Sequence, residues 1–140
     1  MRVESIAEDL LGLAVERAEI DCSGMLLPAE RVILVNAAEP ETRQRFTIAH
    51  ELGHWVCQCL EGETEPVYCR AEEVTLDPHI KAREREANVF AAELLMPEEA
   101  VREAHARNES ATTFGVSGEA MAWRLYSFGL GESPPVTARR

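Results

Sequence analysis

The chain has 140 residues, of which 46% are hydrophobic and 28% charged, and its formal net charge is −11 at pH 7. A chain of this length and composition can bury one core, so a single domain is expected. Because an acidic surface repels phosphate, direct nucleic-acid binding by the main surface is disfavoured.

The first quarter of the chain predicts one helix and a small sheet. The sequence from Ser5 to Glu8 has the form of a capping box and predicts a helix that continues to about Ala18. Gly24 to Leu27 and Arg31 to Asn36 follow as short strands, separated by Pro28.

An H-E-x-x-H sequence at positions 50–54 lies in a stretch, Gln44 to Leu60, that predicts a helix. Residues four apart share one helix face, so His50 and His54 can each offer a ring nitrogen to one ion, with Glu51 beside them as a base. This pattern is typical of zinc peptidases. Gly53 costs roughly 1 kcal/mol of helix propensity, which indicates either a backbone that approaches the metal or tight helix packing.

The segment that follows this helix, residues 62–77, is acidic and contains Pro66. It is interpreted as a flap or mobile loop that holds a third strand at Val67 to Arg70. An edge of the sheet beside the metal helix would bind an extended peptide by adding a strand.

A second long helix, Pro78 to Met96 with Asp77 as its cap, supplies the third ligand that catalytic zinc usually requires. Glu84 and Asn88 share one face of this helix, so Glu84 is the candidate ligand. Asn88 is placed to hydrogen-bond the outer nitrogen of a ligating histidine. Glu86 points about 160° away from Asn88 and is disfavoured as a ligand. An ordinary solvated charged turn is the alternative interpretation.

From residue 97 onward the chain predicts a helix from Glu98 to about Arg107, followed by two short helical stretches, Thr112 to Gly115 and Ser117 to Leu130, around a Gly-Val-Ser turn. Helices joined in this way resemble a helix-turn-helix, but five arginines against six acids leave no basic face for DNA. Residues 97–140 are interpreted as a helical extension packed on a metallopeptidase core of residues 1–96. Its aromatic residues, such as Trp123 and Tyr126, are expected to cover the core or receive a partner.

Compartment and redox state follow from the N-terminus and the cysteines. Residues 1–9 carry acids where a signal peptide would be apolar, and no apolar run approaches the ~20 residues that span a bilayer. A cytoplasmic protein without a membrane segment is therefore expected, with free thiols at Cys22, Cys57, Cys59 and Cys69. Cys69 is interpreted as a plain strand or loop residue, with an inhibitory thiolate on the metal as the alternative.

The H-E-x-x-H sequence with its lead-in at positions 45–49, and E-x-x-A-N-x-F-A-A-E-L-L-M-P at positions 84–97, form a specific joint pattern. The pattern resembles the ImmA/IrrE family of metallopeptidases. The resemblance implies an α+β, zincin-like fold that is mostly helical, with a small sheet beside the H-E-x-x-H helix. It also implies one zinc held by His50, His54 and Glu84, with Glu51 as the base, in a gluzincin-like endopeptidase.

The same resemblance implies a biological role. Members of the family cleave a helix-turn-helix repressor in the cytoplasm and thereby switch on mobile-element or stress-response genes. Because no DNA-binding domain fits before Val32, the repressor is expected to be a separate protein encoded nearby.

Metal-assisted peptide hydrolysis is the chemistry that the sequence favours, with Glu51 taking a proton from water and delivering it to the leaving amine. The residue that stabilises the oxyanion stays open among Tyr68, His79, His105 and Tyr126. The alternative is a non-hydrolytic binding module that sequesters a repressor or toxin-like partner, and the intact Glu51 favours the enzyme. A purely structural zinc is disfavoured because such sites are usually closed by four Cys or His ligands.

Overall fold

The computed structural model describes residues 2–59, 67–68, 77–109 and 111–131, in which helices pack around a small mixed sheet. In chain order its elements are helix α1 (Val3–Ser5) continued by a π-helical turn (Ile6–Leu10), strands β1 (Ala14–Ala18), β2 (Gly24–Leu27) and β3 (Val32–Asn36), helix α2 (Glu41–Cys57), strand β4 (Val67–Tyr68), helices α3 (Pro78–Leu95) and α4 (Glu98–Ala106), a 3-10 turn (Ala111–Phe114) and helix α5 (Gly118–Ser127). This is the α+β class that the sequence predicted. No helix in these ranges is both long and apolar enough to cross a membrane.

The sheet has the strand order β1-β3-β2-β4. The two predicted strands are present as β2 and β3, which pair antiparallel, and the turn between them closes through a hydrogen bond from Arg31 N to Pro28 O at 3.2 Å. Strand β4 pairs antiparallel with β2, so a third strand in this region is confirmed over Val67–Tyr68. The rest of the predicted flap and of that strand lies outside the described residues, apart from Asp77.

The prediction of one helix from Ser5 to about Ala18 is wrong. The helical segment starts at Val3 and ends at Leu10, and β1 then pairs parallel with β3. Gly12, with a φ of +71°, lies between the end of the helical segment and the start of β1. Ser5 has helical backbone angles and makes no capping hydrogen bond. The pairing of β1 with β3 is a tertiary interaction, and it overrides the local apolar spacing that suggested a helix.

Helix α2 carries the H-E-x-x-H sequence and packs on the sheet. The helix is confirmed, but it runs from Glu41 to Cys57, and the whole stretch from residue 47 to 55 is buried. Strand β2 approaches it closely: a Cβ on Gly24 would collide with Thr47 Cγ2 and lie 2.7 Å from Leu34 O. The site residues of α2 therefore rest on a rigid, buried support.

Helix α3 follows the prediction almost to the residue. Its first turn is capped by Asp77, whose Oδ1 accepts a hydrogen bond from His79 N at 2.9 Å. Ala87, Ala91 and Leu95 form its buried face. The small side chains on this face allow another helix to come close.

The C-terminal part contains the predicted short helices α4 and α5. Ser117 caps α5 by accepting a hydrogen bond from Ala120 N at 3.1 Å. Leu125 and Phe128 pack on the core, whereas Trp123 and Tyr126 are 41% and 40% exposed. The division into a core of residues 1–96 and an extension of residues 97–140 stays a prediction.

Cys22 and Cys57 have free thiols, as predicted. Cys59 is buried in the core, Cys57 is exposed and Cys22 is partly buried. Cys69 lies outside the described residues.

Candidate metal centre

Helices α2 and α3 cross at Gly53 and Ala87. A Cβ on Gly53 would lie 2.9 Å from Ala87 Cα and 3.1 Å from Phe90 Cβ, distances that leave no room for a larger residue. Of the two interpretations of Gly53, the structure therefore supports helix packing. The close crossing sets the distance between side chains on α2 and side chains on α3, one turn to either side.

Three metal-binding side chains meet beside this crossing. His50 Nε2 lies 3.0 Å from Glu84 Oε1, and His54 Nε2 lies 3.0 Å from Glu84 Oε2. The ligand atoms of the three residues all lie within 4.8 Å of one another. Both histidines are buried, while about a third of the Glu84 side chain is exposed. The structure thus brings together the three residues that the sequence singled out as ligands.

The outer nitrogen of each imidazole has an amide partner. His50 Nδ1 lies 2.8 Å from Asn88 Oδ1, as the shared face of Glu84 and Asn88 had suggested. His54 Nδ1 lies 2.6 Å from Gln58 Oε1. An amide oxygen only accepts hydrogen bonds, so in both pairs Nδ1 must carry the proton and donate it.

These outer contacts determine what the inner nitrogens can do. A neutral imidazole with a proton on Nδ1 has a lone pair on Nε2. Two such lone pairs and a carboxylate then face one another, and His54 Nε2, which is buried, has no hydrogen bond of acceptable geometry. Such an arrangement is repulsive unless the rings gain protons or a cation lies between the three groups. Two imidazoles and a carboxylate are a donor set that zinc accepts, with a fourth position left open.

The pKa of Glu84 also depends on positive charge beside its carboxylate. Burial alone would raise its pKa, but when the rings of His50 and His54 also carry a proton on Nε2, their hydrogen bonds and positive charge lower the pKa to about 2. Glu84 is therefore an anion at any physiological pH, as a carboxylate ligand must be.

Glu51 differs from Glu84 in its burial, its hydrogen-bond partners and the direction of its pKa shift. It is fully buried, and neither of its carboxylate oxygens has a hydrogen-bond partner among the described residues. Burial, and secondarily the negative charge of Glu84, raise the pKa of Glu51 well above its ordinary value. Buried carboxylates without partners are rare in folded proteins, and a strongly perturbed one beside metal-binding groups indicates a chemical role.

Sequence reasoning missed Gln58 and its contact with Glu86. Gln58 lies four residues after His54, and this i, i+4 spacing was a signal that could have found it. Glu86 does point away from the metal-binding group, as expected, and its Oε1 accepts a hydrogen bond from Gln58 Nε2 at 3.4 Å. Of the oxyanion candidates, His79 and His105 are exposed.

The α+β fold and the centre of two imidazoles and a carboxylate on crossing helices are typical of a metallopeptidase. The model of the peptidase M78 family, described as the IrrE N-terminal-like domain, matches residues 8–126. The chain belongs to this family of metallopeptidases.

Named relatives agree with the family. The chain is 36% identical over 99 residues to the radiation response metalloprotease IrrE of Deinococcus radiodurans, an alignment that covers 71% of this chain and 27% of that protein. It is also 36% identical over 95 residues to the IrrE metalloprotease of Deinococcus deserti, covering 68% of this chain and 31% of the relative. The alignments thus span less than a third of either relative's length.

Among solved structures, a transcriptional regulator of Mycobacterium tuberculosis has the same fold. The TM-score is 0.64 at 22% identity, and the superposition covers 88% of this chain and 39% of that one. At this level of identity the likeness concerns the fold alone.

Proposed function

We propose that the chain is a zinc-dependent metalloendopeptidase of the gluzincin type, with His50, His54 and Glu84 as ligands and Glu51 as the base. The observation that carries this proposal is the convergence of His50 Nε2 and His54 Nε2 on the Glu84 carboxylate, each 3.0 Å from one of its oxygens. A cation is the natural compensation for three converging lone-pair donors.

The residues around this centre have different roles in hydrolysis. A zinc ion held there would supply Lewis-acid chemistry, polarising a peptide carbonyl and lowering the pKa of water. Glu51 accepts the proton of the attacking water and returns it to the leaving amine. Burial raises the pKa of Glu51, which makes it a stronger base for the first step than an exposed carboxylate. Asn88 and Gln58 hold the rings with Nε2 toward the centre.

The proposed substrate is a transcriptional repressor of the helix-turn-helix class, cleaved at a specific bond in the cytoplasm to derepress mobile-element or stress-response genes. DNA-binding proteins carry basic surfaces. The net charge of −11 on this chain is complementary to such a surface, and it would attract a basic repressor while repelling DNA. Support for a regulatory protease also comes from the relatives, which are named radiation response metalloproteases.

The experiment that tests this function compares the wild type with Glu51→Gln, using a repressor encoded nearby as the substrate. Glutamine is nearly isosteric and Glu51 is not a ligand in this proposal, so zinc content and thermal stability should stay near wild type. Cleavage should fall by about 10²–10⁴-fold because proton transfer is lost. Mass spectrometry follows cleavage, and a pull-down follows association.

Glu41→Gln is the matched control, since it makes the same change at an exposed position of the same helix. It should cleave at the wild-type rate. A wild-type protein that binds the repressor tightly and never cuts it, with Glu51→Gln equally active in cells, would replace the peptidase by the alternative function, a binding module that sequesters its partner.

A further inference from the structure

The residue that follows helix α2, Gln58, holds His54 in two ways. Its backbone N donates a hydrogen bond to His54 O at 2.9 Å, which fixes it one turn beyond the histidine. Its side-chain Oε1 lies 2.6 Å from His54 Nδ1. The backbone hydrogen bond therefore places the side-chain amide of Gln58 within hydrogen-bonding distance of the His54 ring.

Glu86, on helix α3, determines which end of that amide faces the histidine. A carboxylate only accepts hydrogen bonds, so the Gln58 group that faces Glu86 Oε1 at 3.4 Å must be the NH2. The amide oxygen then faces His54, and His54 Nδ1 must carry the proton. The lone pair of His54 is consequently on Nε2, which points at Glu84 Oε2.

We infer that Gln58 is a positioning residue that fixes the tautomer and orientation of His54 for metal binding, with Glu86 setting the direction of the Gln58 amide. The inference rests on the metal site of the proposed function and assigns this role to two residues outside the ligand set. Groups that hydrogen-bond the outer nitrogen of a ligating histidine typically change metal affinity by about 10–100-fold when they are removed.

The two histidines are supported from different elements. His50 takes its acceptor, Asn88, from α3, whereas His54 takes its acceptor from the end of its own helix. The contact between Gln58 and Glu86 joins the support of His54 to α3. Removing Gln58 should therefore affect the His54 ring while leaving the His50 ring held.

The test measures zinc affinity by competition with a chromogenic chelator in Gln58→Met and Gln58→Glu. Methionine keeps the length of the side chain and the helix propensity but has no amide, and affinity should fall by about 10–100-fold. Glutamate keeps an acceptor for His54 Nδ1, and affinity should return to within about tenfold of wild type. Gln44→Met is the matched control: Gln44 lies on α2 and its amide accepts a hydrogen bond from Arg17 and donates to Ala37 O and Glu39 O, so zinc affinity should not change.

NMR of the zinc-loaded protein adds a readout that a merely structural role would not move. The Nδ1 proton of His54 should be protected from exchange in the wild type and exposed in Gln58→Met. The Nδ1 proton of His50 should remain protected in both. In a double-mutant cycle, Glu86→Gln should weaken zinc binding in the wild-type background and have no further effect on Gln58→Met.

The inference is overturned if Gln58→Met binds zinc as tightly as the wild type, or if Gln58→Glu loses as much affinity as Gln58→Met. The role of Glu86 is overturned if the two substitutions act additively. A wild type that binds zinc with these dependences but cleaves no repressor contradicts only the proposed function. A wild type that binds no zinc contradicts both.

Discussion

At the scale of single residues, the two carboxylates near the crossing of α2 and α3 have opposite properties because their surroundings differ. Glu84 receives positive charge and hydrogen bonds, which hold its pKa at about 2, whereas burial raises the pKa of Glu51. Groups whose surroundings push their pKa values apart are a common basis for assigning different roles to like residues. Glu84 is accordingly the candidate ligand and Glu51 the candidate base.

Glu84→Ala should remove most of the bound zinc, because two imidazoles alone leave the site short of the three ligands usual in catalytic zinc sites. Metal analysis of the purified variant by mass spectrometry checks this result, together with circular dichroism to confirm the fold. Glu93→Ala makes the same change at an exposed position of α3 and should keep about one zinc per chain. Undiminished zinc in a folded Glu84→Ala protein would remove Glu84 from the site.

The pKa of Glu84 also fixes the sign of its pH dependence. Since its folded value of about 2 lies below the ordinary value of 4.5, its ion pairing stabilises the fold above that ordinary value. This contribution is lost only as the pH falls through about 2. The pKa of Glu51 is shifted in the opposite direction, so its contribution to the pH dependence has the opposite sign.

At the scale of elements, the site depends on how closely α2 approaches α3. His50 and His54 belong to one helix and Glu84 to the other, so a small displacement of either helix changes both imidazole–carboxylate distances. Gly53 sets this approach because a Cβ there would meet the backbone of Ala87 at 2.9 Å. Backbone atoms cannot move aside as the end of a flexible side chain can.

Gly53→Ala should therefore force the helices apart and destabilise the protein by about 1–3 kcal/mol, although alanine is the better helix former. Zinc affinity should fall together with stability. Gly118→Ala is a suitable control, because no atom lies within 4 Å of the added Cβ and the residue starts α5. The control should be neutral or slightly stabilising, and thermal unfolding measures both variants. Equal unfolding temperatures for the two variants would contradict the role of the crossing.

The elements that the sequence predicted well are those encoded by local signals. Helices α2 and α3 have apolar residues at helical spacing, and α3 also has Asp77 and Pro78 at its start, so their positions and the facing of Glu84 and Asn88 followed directly. Strand β1 did not follow, because it exists through pairing with β3. The direction of the Gln58 amide did not follow either, because it depends on the contact with Glu86 on another helix.

At the scale of the whole molecule, two arginines tie the C-terminal helices to the elements that carry the site. Arg45 on α2 donates hydrogen bonds to Gly115 O and Phe114 O, both at 3.1 Å. Arg124 on α5 donates to Met96 O at 2.9 Å and lies over the ring of Phe128. The family match from residue 8 to 126 likewise includes these C-terminal helices.

Arg45→Gln should destabilise the protein by about 1–3 kcal/mol, because the carbonyls of Phe114 and Gly115 lose a charged donor. Chemical denaturation measures the free energy of unfolding. Arg85→Gln, the same change at an exposed position of α3, should alter it by less than about 0.5 kcal/mol. A similar loss in both variants would mean that charge, rather than the contact with the C-terminal turn, is responsible.

A metal ion bound by His50, His54 and Glu84 would cross-link two helices, because these residues lie on α2 and α3. His50 and Glu84 are 34 positions apart along the chain, so an ion bound to both would close a loop of that size. By analogy with a disulfide, closing such a loop removes conformational entropy from the unfolded chain worth about 4 kcal/mol. Removal of the metal by a chelator would then restore this conformational entropy to the unfolded chain and lower the stability of the fold. The availability of the metal would therefore determine the lifetime of the protein as well as its activity.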